Sequence, residues 1–298
     1  MEPCFAETPL LRVAYEASGP EKGYPLLLLH GWPDDVRTWD ALLPTLHAAG
    51  FRTYVPWLRG FGPTRFRSED TFRSGQLVAL GQDAVDFADA LGLRAYAVVG
   101  HDWGARAAYI ASALDERIAA CVALSVGYGT NLPSQSLSWR QTQNYWYHWL
   151  MATPRGERVI RADRRGFTRH IWHAWFVAYA PDDAEFDRTA IAFDNPDWVD
   201  ITLHSYRTRW GHASPDLHYA ALEARFDPAP RMRTPTLVLH GAADPVNLPA
   251  MSEGKEAFFA GRYERHLIAG AGHFPQRERA DETGWHATGF LRRWCKHS

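Results

Sequence analysis

Asp102 stands in "VVGHDWGAR", residues 98–106, between Gly100 and Gly104, where an apolar run gives way to an Ala-rich stretch. The pattern is G-x-D-x-G. In many hydrolases the centre of such a strand-to-helix turn is serine, which serves acyl transfer. No G-x-S-x-G occurs anywhere in this chain. A carboxylate at that point calls for other chemistry: ionised, it can attack an sp³ carbon and form an ester. Small neighbours permit the strained backbone that pushes the side chain into a cleft. The N-terminus of the following helix helps to keep the carboxylate ionised.

Two further turns complete a set. "HGAADPVN" puts Asp244 after the run "TLVLHG", and "GAGHFPQ" puts His273 after "ERHLIAG". A histidine can activate water to hydrolyse the ester, with the second aspartate orienting its imidazole. Taken singly, each of these residues has a plain structural use as a cap, a turn or a packed histidine. The chain order nucleophile, acid, histidine, each just after a strand, is that of the α/β-hydrolases. A fourth segment agrees. "LLHGWPDD" puts Gly31, Trp32 and Pro33 at a strand end, and such a loop supplies one backbone N–H of an oxyanion hole. The residue after the nucleophile supplies the other, so the donors would be Trp32 and Trp103. The Trp32–Pro33 bond is a candidate cis peptide.

The elements that must hold these residues alternate. "PLLLLHGWP", "FRTYVPWLRGFG", "LRAYAVVG" and "ERIAACVALSV" read as strands, with loop and helix over "DDVRTWDALLPTLHAAG", stopping at Gly50, and helices over "SGQLVALGQDAVDFADALG" and "WGARAAYIASAL" between them. Continuous apolar runs of this kind argue for a mostly parallel sheet covered by helices on both faces. The alternation stops from about Gly129 to Pro228, where the chain is polar-aromatic and helical in tone. It resumes with "TPTLVLHGAAD", a helix over "MSEGKEAFFA", the strand "YERHLIAG" and a last helix over "DETGWHATGFLRRWCK". The organisation read from this is a core of 1–128 and 229–298 with a helical cap, or lid, of 129–228. Such an insertion would lie over the carboxyl ends of the strands, where open α/β sheets bind ligands.

Composition narrows the function class. A net charge of −2 leaves no electrostatic footprint for nucleic acid or an anionic membrane surface. Cys4, Cys121 and Cys295 lie far apart, without metal or disulfide spacing, which fits a reducing compartment. The N-terminus lacks the apolar core of a signal peptide, and the longest aliphatic run, "LLLL", is too short to span a bilayer. The expectation is a soluble, cytoplasmic protein. The chain has 13 Trp, 12 Tyr and 15 Phe. They are crowded within 139–210, where 7 of the Trp lie, and are densest in "WRQTQNYWYHWLM", which suits a bulky core, a dimer face or an apolar pocket with polar handles. A homodimer is kept open. "HIWH" at 170–173 has no acidic or cysteine partner, so no metal and no organic cofactor is expected.

Over nearly its whole length the sequence resembles the α/β-hydrolase-fold epoxide hydrolases, whose nearest relatives are the haloalkane and haloacetate dehalogenases. The resemblance rests on "HGWPDD", "LRGFGPTR", "VGHDWGAR", the lid, "HGAADPVN" and "GAGHFPQRE". One departure is Trp57, where many relatives carry Asp before "LRG". The resemblance implies a covalent alkyl-enzyme ester on Asp102 and two lid tyrosines that donate to the epoxide oxygen. "QNYWYHWLMATPRG" is similar to the first tyrosine segment, giving Tyr145 with Tyr147 as competitor, and "LHSYRTRWG" to the second, giving Tyr206. The product would be a vicinal diol, and the partners an electrophile (epoxide or organohalide) and water. Two alternatives stand beside it. Haloacetate dehalogenases clamp a carboxylate with two arginines and hold the halide with a lid His-Trp pair and a Tyr. Arg106, His148, Trp149 and Tyr206 match part of that set, but Trp103 stands where the first arginine would be. A non-catalytic ligand-binding protein on the same fold is the other.

Overall fold

A computed structural model describes residues 2–130 and 135–296. Nine strands form one sheet: β1 (Cys4–Glu7), β2 (Leu11–Ser18), β3 (Tyr24–Leu29), β4 (Phe51–Pro56), β5 (Arg65–Phe66), β6 (Tyr96–His101), β7 (Ile118–Leu124), β8 (Thr236–Gly241) and β9 (Tyr263–Ile268). Their order is β1-β2-β4-β3-β6-β7-β8-β9, with β5 pairing β2. From β4 through β9 all pairs are parallel, whereas β1, β4 and β5 run antiparallel to β2. This is the α/β-hydrolase architecture that the motif order implies.

The central strands explain their own position. Every residue of β6 ("YAVVGH") and of β8 ("TLVLHG") is buried, as parallel strands covered on both faces require. The edge strand β9 ("YERHLI") carries Glu264, Arg265 and His266 in succession and buries only Ile268, a composition that discourages further pairing. The antiparallel ribbon of β1, β2 and β5 has no counterpart in the reading of the sequence. Its residues alternate apolar and polar, as in "LRVAYEAS", without the apolar run that marks the central strands.

One sequence expectation changes. "MSEGKEAFFA" is not a helix: it folds as two short 3₁₀ turns, Pro249–Ser252 and Glu256–Phe258. Gly254 lies between them at φ +65°, a left-handed conformation that ends the first turn. "DDVRTWDALLPTLHAAG" divides into a 3₁₀ turn, Val36–Trp39, and a short helix, Leu43–Ala48. Between β7 and β8 the described residues form only α and 3₁₀ helices, from Trp139 to Phe226. Their side chains join the main core: Tyr145, Tyr147, Phe167, Trp172, Trp175, Trp198 and Tyr206 pack in one cluster with Trp32 and Trp103. Among the described residues no helix is long and apolar enough to cross a membrane.

Candidate active site

Asp102 ends β6 and caps the helix Trp103–Leu114 at φ 49°, ψ −110°. A non-glycine residue at positive φ is uncommon and stores strain that the surroundings must hold. They do so by close approach. A Cβ on Gly104 would lie 2.0 Å from the Leu29 carbonyl oxygen, and one on Gly31 would lie 2.6 Å from Asp102 Cβ. Only glycine lets the β3 and β6 turns approach this closely. The Trp32 N–H donates to Asp102 Oδ1 at 2.9 Å. The Trp32–Pro33 peptide is cis, as expected, and the Pro33 carbonyl accepts the Trp172 indole N–H at 2.6 Å. Trp103 opens the helix, with its indole stacked 6.4 Å from that of Trp32.

The three strand-end residues converge. His273 Nδ1 donates to Asp244 Oδ2 at 2.9 Å, while its Nε2 lies 3.7 Å from Asp102 Oδ2. That second gap is too long for a hydrogen bond, and Nε2 has no other partner. All three side chains are buried. Burial opposes the charge on each, but mutual attraction outweighs it. Asp102 is held well below the usual carboxylate range by His273, His101 and the Trp32 N–H. Asp244 is lowered to about 2 by His273 and His240. His273, between two carboxylates, is raised to about 10.

Backbone supports fix this arrangement. The His273 carbonyl accepts from His101 Nε2 and Ser125 Oγ, both at 2.8 Å. Glu278, quoted with its motif but given no role from sequence, is a buried carboxylate that accepts the N–H groups of Gly272 and Phe274 on either side of His273. It also accepts those of Val177 and Ala178 from the helical segment. Its position five residues after the histidine is the only sequence signal that could have singled it out.

The helical segment contributes the facing wall. Tyr206 is buried, 5.1 Å from the Trp32 ring and 5.6 Å from that of Trp103. Its hydroxyl oxygen accepts the Trp103 indole N–H at 3.2 Å, and among the described residues nothing accepts its own proton. Burial and the nearby Asp102 push the phenol well above its ordinary value. His148 sits 4.4 Å from the Tyr206 ring. Its Nδ1 accepts the Trp210 indole N–H at 3.0 Å. Burial, Arg209 and Arg106 hold it neutral, so Nε2 carries the proton, buried and without a partner among the described residues.

Tyr145 is elsewhere in the site: its hydroxyl donates to Asn247 Oδ1 at 2.6 Å and its ring stacks on His148. Tyr147 lies flat on Trp32, 5.6 Å away, and edge-on to Tyr206. Trp149 gives its indole N–H to the Thr142 carbonyl. Arg106 reaches Thr130 with Nη1 and borders an apolar cavity of about 210 Å³ with Leu77, Tyr109 and Ile110. Among the described residues no three His, Cys, Asp or Glu side chains converge as a metal site.

Residues 24–280 match the profile of the alpha/beta hydrolase fold family. The chain belongs to that family. Among relatives of this alpha/beta hydrolase, Epoxide hydrolase A of Mycobacterium tuberculosis is 27% identical over 292 residues, covering 88% of either chain. A crystal structure from Klebsiella pneumoniae, of a protein provisionally assigned as an epoxide hydrolase, superposes with a TM-score of 0.92 at 36% identity over 97% of both chains. A second such structure, from Pseudomonas aeruginosa, reaches 0.79 at 26% identity over 98% of this chain and 95% of its own. The resemblance to epoxide hydrolases expected from the motifs is thus matched by relatives that carry that name.

Proposed function

We propose that this hydrolase opens epoxides to vicinal diols through a covalent ester on Asp102. The observation that carries the reading is Tyr206. Its oxygen is occupied by the Trp103 indole N–H, which leaves its proton free for an acceptor in the site. A weak acid aimed at a developing alkoxide is what ring opening needs. The second donor in this proposal is His148 Nε2–H, buried and unpartnered beside Tyr206. Tyr145 is left to its bond with Asn247.

In the first step Asp102 Oδ2 attacks the epoxide carbon, the C–O bond breaks, and the oxygen takes the Tyr206 proton. Oδ1, already held by the Trp32 N–H, becomes the ester carbonyl oxygen. Esterification removes one of the two carboxylates that keep His273 protonated, so its imidazole can release that proton to solvent, to be taken up again when the Asp102 carboxylate reforms, and serve as a base. Water then attacks the ester carbonyl and gives its proton to His273, while the N–H groups of Trp32 and Trp103 hold the oxyanion. The bond from the acyl carbon to the alkyl oxygen then breaks, and the leaving alkoxide takes the proton from His273. The new Asp102 carboxyl gives its own proton to the Tyr206 phenolate, so that the diol leaves and Asp102 is again a carboxylate. Residues 129–228 act here as the lid that excludes water.

Organohalide hydrolysis is less well supported. Of the N–H donors a leaving halide needs, the indoles of Trp32, Trp103 and Trp149 are already bound to Thr202, Tyr206 and Thr142, which leaves His148 Nε2–H. The proposal includes a cytoplasmic location, consistent with three free cysteines, and leaves room for a homodimer through exposed Trp139 or Trp285. The test is a paired assay on purified protein: a panel of epoxides read as diol, and haloalkanes with haloacetates read as halide. Diol without halide is expected. Halide from haloacetate with no diol would overturn the epoxide reading.

A further inference from the structure

Arg209 is a buried cation without a counter-ion. Arg59 is clasped by Asp83, and Arg277 by Asp34 and Glu185, while the buried Arg106 donates to Thr130. Among the described residues no carboxylate pairs with Arg209. Its Nη2 donates to Ser205 Oγ at 2.8 Å, and its Nε is buried with no partner. Burying an unpaired charge is costly, and proteins rarely keep one without a use.

Local structure suggests the use. Arg209 ends the helix Trp198–Arg209 three residues after Tyr206, a spacing that puts both on one face. The guanidinium lies 4.6 Å from the centre of the Tyr206 ring and 5.4 Å from that of Trp103. Trp103 is the residue whose indole N–H binds the Tyr206 oxygen. The charged and titratable groups around Tyr206 are Asp102, Arg209 and Arg106, with the rings of His148 and Tyr147 beside it. Asp102 and burial resist negative charge on the phenol oxygen, while Arg209 favours it.

Resting on the ring-opening reading above, we infer that Arg209 is the positioning residue of the ring-opening acid: it fixes the Tyr206 ring by cation–π contact and stabilises the negative charge that the phenol oxygen acquires as its proton passes to the epoxide oxygen. The bond that forms is oxygen–hydrogen on the opening ring, and the one that breaks is the phenol O–H. Arg209 itself transfers nothing. Its charge is needed when the ester forms and not when water cleaves it, because the phenol gives no proton in the second step.

The experiment separates those steps. Single-turnover mixing with styrene oxide, followed by tryptophan fluorescence and by acid-quenched intact mass, reads ester formation and ester hydrolysis independently. Arg209→Met is expected to slow ester formation by roughly 10- to 30-fold and leave hydrolysis within about twofold, whereas Arg209→Lys, which keeps the charge, stays within about threefold of the parent. The loss should shrink with 4-nitrostyrene oxide, whose alkoxide is a weaker base and needs less help from the acid. In a Tyr206→Phe background, Arg209→Met should have little further effect. Arg209→Gln, uncharged but still able to hydrogen-bond Ser205, repeats the test should the methionine variant not fold. Equal slowing of both steps, no slowing, or an undiminished effect in the Tyr206→Phe background would each overturn the inference. Failure of the parent protein to form any ester would instead refute the epoxide reading, and this inference with it, before a variant is made.

Discussion

The strand ends and the helical segment facing them treat charge in opposite ways. At the strand ends Asp102, Asp244 and His273 form a line in which a cation stands between two anions. Facing it, Arg209 is buried with a neutral His148 and no acid among the described residues to pair with it. The first region is held by backbone: β6, β8 and β9 end where the three residues begin, and N–H groups anchor the loops between. The second is held by rings packed on rings. A nucleophile needs fixed geometry, whereas an acid that must receive negative charge needs cations and dry surroundings.

Removing the anionic side should have the largest effect. Asp102→Asn is expected to lower diol formation by on the order of 10⁴- to 10⁶-fold with an unfolding midpoint close to the parent's. Full activity, in a protein whose intact mass still reports Asn, would show that another group attacks. His273→Gln should let the ester form and then persist, visible as a mass increase equal to one substrate molecule, with hydrolysis slowed by on the order of 10³-fold. A variant that turns over without accumulating adduct would mean that His273 is not the base.

That much was legible in the sequence because a strand end is a backbone event. Apolar runs such as "YAVVGH" and "TLVLHG" fix where the chain turns, and the turn fixes which side chain reaches the cleft. The facing wall was legible only in part. "WRQTQN" and "WYHWLM" form two six-residue helices that meet at Tyr145, and the second has no polar face to set its rotation. Whether Tyr145, Tyr147 or His148 points at the nucleophile therefore depends on how the rings pack. Glu278 and Arg209 escaped notice for a related reason: their partners are backbone N–H groups and ring faces, which leave no spacing pattern.

The cation within the anionic line makes a prediction in pH. His273 is raised from 6.5 to about 10 by its two carboxylates, after the opposing effect of burial. A raised folded-state value gives stability that is full below about pH 6.5 and is lost as pH climbs toward about 10. In Asp102→Asn one carboxylate is gone, so His273 should titrate lower, and the alkaline loss of stability, which starts from the same unfolded-state value, should be smaller and end at lower pH. Thermal unfolding midpoints of both proteins across that range would check it. Curves that fall in parallel would mean that Asp102 does not hold the His273 proton.

The facing wall carries smaller effects, and the two tyrosines sharpen the contrast within it. Tyr206→Phe removes the proton aimed into the site and should slow ester formation by about 10²-fold, measured in a single turnover. Tyr145→Phe removes a hydroxyl that donates to Asn247 Oδ1, in the same loop as Asp244. It should leave ester formation within about threefold and lower the unfolding midpoint slightly, as the loss of one buried hydrogen bond does. That outcome would support the proposed division of work, in which His148 Nε2–H stabilises the opening oxygen and Tyr206 gives it a proton. If Tyr145→Phe proved as slow as Tyr206→Phe, the Tyr145 hydroxyl would have to leave Asn247 when substrate arrives. The ring-opening pair would then be two tyrosines, and the stacked His148 would serve only to space them.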